Sequence, residues 1–199
     1  MYWQVYLHKT VLAADQLLIK ILQRAKYLIR NGETLFGSEP LLFFLKHKIK
    51  LSDFYSSDKF EYSVLELFAQ LDDTDILSAI KAWISTKDKI LADLSYRLIN
   101  RKLFSIKLQN EAFKKTEIEQ ITKQVKKKLK LSEEESKYFV FSDQISNSAY
   151  SFEDESINIL SKNGELRDIT EASDMLNHAV LSKTVKKHFL CYPKEIYLP

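Results

Sequence analysis

Glycine and proline are scarce, with three of each in 199 residues, and cysteine occurs once. Few positions are therefore available for tight turns or helix breaks, which favours long helices. The single thiol, Cys191, excludes an internal disulfide, so the chain needs no oxidising compartment and a cytoplasmic setting is expected. Its neighbours in Phe189-Leu190-Cys191-Tyr192 mark it as a packing residue. Long apolar runs are missing as well. The longest is Leu41 to Leu45, far short of the roughly 20 residues that cross a bilayer, and no secretory signal pattern opens the chain. Neither charge sign dominates: 30 basic residues face 27 acidic ones, for a formal charge of +3. That field is too weak to argue for nucleic acid or an anionic membrane, so any basic site has to be local.

What is present is enough apolar surface for a core, with 45% hydrophobic and 12% aromatic residues. The first half reads as helical. Leu7, Val11, Ala14, Leu18, Ile21, Ala25 and Leu28 recur at steps of four and three, the spacing of one helix face, and Asn31-Gly32 supplies a stop. Ser38 with Pro40 opens a short helix over Leu41 to Leu45. Ser52-Asp53, Ser57-Asp58 and Asp72-Asp73-Thr74-Asp75 read as further helix starts, and Asp88 to Asn100 as the last helix of this half.

Near residue 102 the period changes. Leu103 to Leu108 alternates as a strand does, and a lysine-rich helix from about Thr116 to Leu129 follows, with Thr116 and Glu119 set as a capping box. Tyr138 to Phe141 reads as a strand, Ser142 to Ser156 as a polar loop, and Ile157 to Leu160 as a strand. Asn163-Gly164 turns the chain into Glu165 to Ile169. A helix over Glu171 to Leu181 and a strand over Lys187 to Tyr192 complete it. The expected fold is α+β, a helical region over 1–101 followed by a small split-βαβ, ferredoxin-like antiparallel sheet region over 102–199.

Catalytic motifs are not found. His8, His47, His178 and His188 have no metal-ligand spacing, and His47 between Lys46 and Lys48 reads as a solvated residue. Nucleophile elbows, Gly-rich phosphate loops and Cys-x-x-Cys pairs are absent. The carboxylates Asp72, Asp73 and Asp75 fit helix capping better than metal binding. No catalytic or metal-ligating residue is therefore assigned to this chain. Tyr2 to His8 reads as helix with no cap before it. Two readings of that start stay open, an exposed end that frays and a helix continuing from upstream.

Two segments carry a resemblance. Met1-Tyr2-Trp3-Gln4-Val5-Tyr6-Leu7-His8-Lys9-Thr10 resembles the segment just after the catalytic core in HD-domain phosphohydrolases of the deoxynucleoside triphosphate triphosphohydrolase type, which carry Tyr-x-His-Lys there. Arg97-Leu98-Ile99-Asn100-Arg101-Lys102-Leu103-Phe104 resembles that family's junction between its helical part and its C-terminal sheet. The resemblance implies that Tyr6 edges a substrate nucleotide pocket. It implies that His8, Lys9 and Arg101 contribute to an effector site for a nucleotide of the dNTP or GTP kind, formed between subunits. Lysine and arginine suit phosphate oxygens as charge-assisted donors. The family's metal ligands have no counterpart here; the resemblance places them in an upstream HD domain holding a divalent metal. It implies an assembly or regulatory role within a nucleotide phosphohydrolase, in a homo-oligomer, without catalysis by this chain alone. Ser105 and Leu7 depart from residues seen in some members.

Two other readings compete. Lys114, Lys115, Lys123, Lys126, Lys127, Lys128 and Lys130 near Tyr138, Phe139 and Phe141 form the pattern of an RNA-binding module, although the strand lacks the glycines of an RNP1 motif. The chain also reads as a helical scaffold with no ligand.

Overall fold

The computed structural model describes residues 8–55, 60, 63–147, 158–168 and 185–196. Helix α1, Lys9–Arg30, buries Leu12, Ala13, Leu17, Ile21, Ala25 and Leu28. This stripe is rotated from the expected one, leaving Val11 at 42% exposure. The helix has apolar residues on more than one side, and its packing partners decide which go inside. It ends where expected: Asn31 Nδ2 donates to the Tyr27 carbonyl at 2.7 Å, and Gly32 takes a φ of +90°, open to glycine at no steric cost.

Helix α2, Glu39–Lys46, is capped by Ser38 and carries Pro40 in its first turn. A 3-10 turn, Leu51–Phe54, follows; the buried Asp53 accepts the Lys50 N–H at 2.7 Å. Helix α3, Val64–Gln70, is capped by Ser63; the start expected at Ser57-Asp58 lies outside the described residues. Helix α4, Asp73–Trp83, opens with a reciprocal capping box between Asp72 and Asp75, so these carboxylates do serve the helix start. Helix α5, Lys89–Ile99, is capped by Asp88, which accepts the Leu91 N–H at 2.8 Å.

The second half holds strand β1, Ser105–Gln109, helix α6, Lys115–Leu129, helix α7, Glu133–Ser136, and strands β2, Phe141–Asn147, β3, Asn158–Leu160, β4, Leu166–Asp168, and β5, Val185–Tyr192. The fold is α+β, helical first and then antiparallel sheet. β5 is the centre of a three-stranded sheet of order β1-β5-β2 and antiparallel to both neighbours, so β1 and β2, joined through α6, run parallel on either side of it as in a split βαβ; among the described residues β3 and β4 pair with each other in a separate two-stranded ribbon. The register sets Ile106 and Phe141 against Cys191 from either side.

Three local expectations are corrected. Helix α6 begins one residue early, behind Lys114 with no side-chain cap, so Thr116 and Glu119 form no capping box at its start. The strand expected over Tyr138 to Phe141 is a turn through Val140, and the ladder runs instead through the polar stretch from Phe141 to Asn147. Pairing along β5 overrides the local apolar pattern there, and Phe139 plugs the core at 1% exposure. His47 is not a free surface residue; its ring is half-buried between Phe43 and Phe60, with centroids 4.8 and 5.1 Å away. The helix expected over Glu171 to Leu181, with His178, lies outside the described residues.

One buried cluster runs from α1, α4 and α5 through Phe104 and Phe139 to Leu190 and Cys191 of β5. Among the described residues no helix is long and apolar enough to cross a membrane.

Candidate effector site

Arg24, late in α1, holds Asp88 at the start of α5 through both Nε, 3.0 Å, and Nη2, 2.6 Å. The hydrogen bond to Asp88, against the opposing pull of burial, raises the Arg24 pKa above its ordinary value. The residues just before α5, Ser85 to Asp88, share a hollow with the end of α1, Leu28 to Leu35. Since α1 and α5 pack together, α5 runs back along α1. Eleven residues of α5 at a rise of about 1.5 Å each bring its end level with about Ala13, roughly 6 Å short of Lys9. His8 and Lys9 are thus brought to the same end of the helix pair as Arg101.

His8 is the N-cap of α1, extended at φ −61° and ψ 138°, with Nδ1 accepting the Thr10 N–H at 3.3 Å. The uncapped helix expected through His8 is corrected at this residue: the imidazole does the capping. Lys9 follows as the first helical residue, exposed. Tyr6 lies outside the described residues.

On the α5 side, the helix ends in a Schellman motif: the Lys102 N–H reaches the Arg97 carbonyl at 2.8 Å and the Arg101 N–H the Leu98 carbonyl at 3.2 Å. Such a motif needs a left-handed residue after the cap, usually glycine, and here it is Arg101 at φ 55°. Lys130 ends α6 with the same φ, so long basic residues in glycine positions are a general feature of this glycine-poor chain. The conformation alone does not mark Arg101 as functional.

Arg101 stands on the rim of a cavity of about 500 Å³ lined by Asp93, Tyr96, Arg97, Lys102, Leu103, Lys194 and Glu195. Its wall is the buried Arg97, whose Nε donates to Asp93 at 2.8 Å and Nη2 to Glu195 at 2.5 Å. The guanidinium also sits 5.8 Å from the Phe104 ring and 5.9 Å from the Phe139 ring. Burial works against the Arg97 charge, but the bonds to Glu195 and Asp93 outweigh it and leave its pKa raised. Burial likewise pushes the Glu195 carboxyl up, and the Arg97 hydrogen bond overrides it, leaving Glu195 below the ordinary carboxylate range. Both carboxylates being taken by Arg97, the rim cations Arg101, Lys102 and Lys194 face the cavity as donors for an anion.

Sequence reasoning selected Arg101 but missed Arg97 as its support, and missed Lys102, Lys194 and Glu195. The Asp93/Arg97 spacing of four was the one available signal; Glu195 is remote in sequence. A larger hollow of about 680 Å³, between the end of α1 and α2, has Ile29, Leu35, Leu42 and Phe43 in its wall and contains none of the expected site residues. Among the described residues no group of three or more His, Cys, Asp or Glu is placed to hold a metal ion. His188 lies on β5, half-buried. Tyr138 and Phe141 are half-buried, held by Arg24 at 5.3 Å and Lys20 at 4.4 Å from their rings, so with Phe139 in the core the RNA-binding reading loses its aromatic strand.

No family model matches the chain. It is 31% identical over 203 residues to YwfO, an uncharacterized protein of Bacillus subtilis (strain 168), covering 98% of the chain and 43% of that protein. It is 43% identical, with a TM-score of 0.77, to a phosphohydrolase of Bacteroides thetaiotaomicron known from its crystal structure, covering 98% of the chain and 47% of that one. The chain is therefore similar in sequence and fold to part of a phosphohydrolase, and it spans less than half the length of either relative.

Proposed function

We propose that this chain is the C-terminal accessory region of an HD-type, metal-dependent nucleotide phosphohydrolase, serving assembly and regulation. The observation that carries the reading is the likeness, at 43% identity, to less than half of a phosphohydrolase. In this reading the catalytic residues and their divalent metal belong to an HD domain upstream, and no chemical step is assigned to the residues described here. Tyr6 edges the substrate pocket from the segment that joins the two parts, and the enzyme works as a homo-oligomer.

The regulatory ligand of this reading is a nucleotide of the dNTP or GTP kind, its phosphates held by Lys9 and Arg101 with His8 beside them. Support comes from the α1 start and the α5 end lying toward the same end of the helix pair, and from a cavity whose four cations outnumber its two carboxylates, both hydrogen-bonded to Arg97. An arginine and a lysine give a triphosphate charge-assisted donors from two directions. In the longer enzyme, Lys9→Ala and Arg101→Ala should each weaken nucleotide activation of turnover by about tenfold or more, the loss of one charged hydrogen bond of about 1.5–3 kcal/mol. Activation unchanged in both variants would remove the effector role and favour a ligand-free scaffold.

A further inference from the structure

Three lysines of the second half are neutralised locally, Lys107 by Glu117, Lys126 by Glu133 and Lys137 by Glu134. Five others, with no such carboxylate partner among the described residues, are clustered. Lys102 donates to the neutral Tyr96 hydroxyl at 2.9 Å, and Lys128 to the Glu195 main-chain carbonyl at 2.5 Å. Lys194, Lys127 and Lys123 have no ion pair among the described residues, and all three are exposed. These five lie together. The cavity rimmed by Lys102 and Lys194 shares Glu195 with a second hollow lined by Gln124, Lys127, Lys128 and Ile196, and Lys123 stands one helical turn from Lys127 on the same side of α6. The one carboxylate common to both hollows, Glu195, is occupied by Arg97. On a chain of net charge +3, such a group concentrates positive charge that only an external anion can neutralise.

We infer that this strip, from the end of α5 across the turn after β5 to α6, binds the phosphodiester backbone of a single-stranded nucleic acid. The spacing of cations over two adjoining hollows suits an extended chain of phosphates. Tyr96, 40% exposed at the strip's edge with the Lys102 ammonium 4.7 Å from its ring, offers a surface on which a base can stack. An acidic protein partner would call for an exposed apolar anchor among the charges, and Ile196 here is buried at 5%. The strip does not use the aromatics of Tyr138 to Phe141; it shares the rim lysines Lys102 and Lys194 with the cavity of the proposed effector site, while its α6 lysines, Lys123, Lys127 and Lys128, lie outside that cavity.

The test is fluorescence anisotropy of labelled mixed-sequence DNA and RNA single strands, about 20 nucleotides long, titrated with the chain across a salt series. Both strands should bind at low salt, with a slope of log K on log salt of about −3, as for four contacted phosphates at roughly −0.7 each. The triple variant Lys123→Gln, Lys127→Gln, Lys128→Gln, which leaves the effector cavity intact, should bind at least about tenfold more weakly and lose roughly 2 of that slope, whereas arginine at the same positions should retain both. Lys81→Gln with Lys89→Gln, a loss of charge elsewhere, should change little. All substituted residues are exposed, and unchanged thermal melts will show that the variants fold. Absence of binding at low salt, a triple variant with the parent's slope, or equal displacement of the strand by a polyglutamate peptide or anionic vesicles would overturn the inference. Response to nucleotides in the longer enzyme would be unaffected by any of these results.

Discussion

Arg97 on α5 and Glu195 in the turn after β5 meet at 2.5 Å across 98 residues of sequence, and through this pair the helical half grips the last strand of the sheet. The guanidinium side chain is 8% exposed, against 37% for Glu195 and 38% for Asp93. Removing it leaves two carboxylates against an apolar wall. Arg97→Ala should destabilise the chain by about 3 kcal/mol, the low end for breaking a buried pair because the acids are partly hydrated. Arg97→Lys should recover only part, since a single ammonium cannot fork to both carboxylates. Chemical denaturation measures both; a loss below about 1 kcal/mol would match a surface pair instead.

The same pair predicts a pH dependence. The Glu195 carboxyl titrates below its ordinary value when folded, because the Arg97 bond outweighs burial. Its contribution is therefore fully present above the unfolded value and is lost as pH falls through the folded one. Stability of the parent should decline from about pH 5 downward, and Glu195→Gln should be less stable at neutral pH with a shallower decline. Parallel stability curves for the two proteins would contradict this.

Arg101 allows stability to be separated from ligand binding. A left-handed residue with a side chain costs about 1 kcal/mol relative to glycine, so Arg101→Gly should raise the unfolding free energy of the chain by about that amount. In the longer enzyme the same substitution should weaken nucleotide activation by about tenfold or more, as Arg101→Ala should. A stabilised variant with intact activation would leave the Schellman turn in place and refute the effector role.

Cys191 lies at 0% exposure, and burial pushes its thiol up to about 12. With so little thiolate at neutral pH, a disulfide reagent should modify it only as fast as the fold opens. Labelling should be slow in native buffer and accelerate with denaturant in step with unfolding. Rapid labelling of the native chain would show β5 to be less enclosed than its packing between β1 and β2 implies.

How much of this was legible in the sequence follows from how local each cause is. Caps at Ser38, Asp72 and Asp88 act within one helical turn, and all three stand where the sequence put them. The switch from helix to strand after residue 102 is a change of apolar period and was equally readable. The turn at Tyr138 to Val140 and the polar strand after it were not, because pairing with β5 decided them. In the site, Arg101 came from a family resemblance, and its placement toward the same end of the helix pair as the α1 start needed the antiparallel packing of α1 and α5. The role of Arg97 required Glu195, which no local pattern could supply.

Nucleoside triphosphate hydrolysis with Mg²⁺ and Mn²⁺, assayed for this chain alone and for a longer polypeptide that joins it to an upstream HD domain, separates an accessory region from an enzyme. An accessory region gives no metal-dependent turnover by the chain alone, and turnover by an oligomer of the longer protein. Robust metal-dependent hydrolysis by the chain on its own would contradict the accessory role.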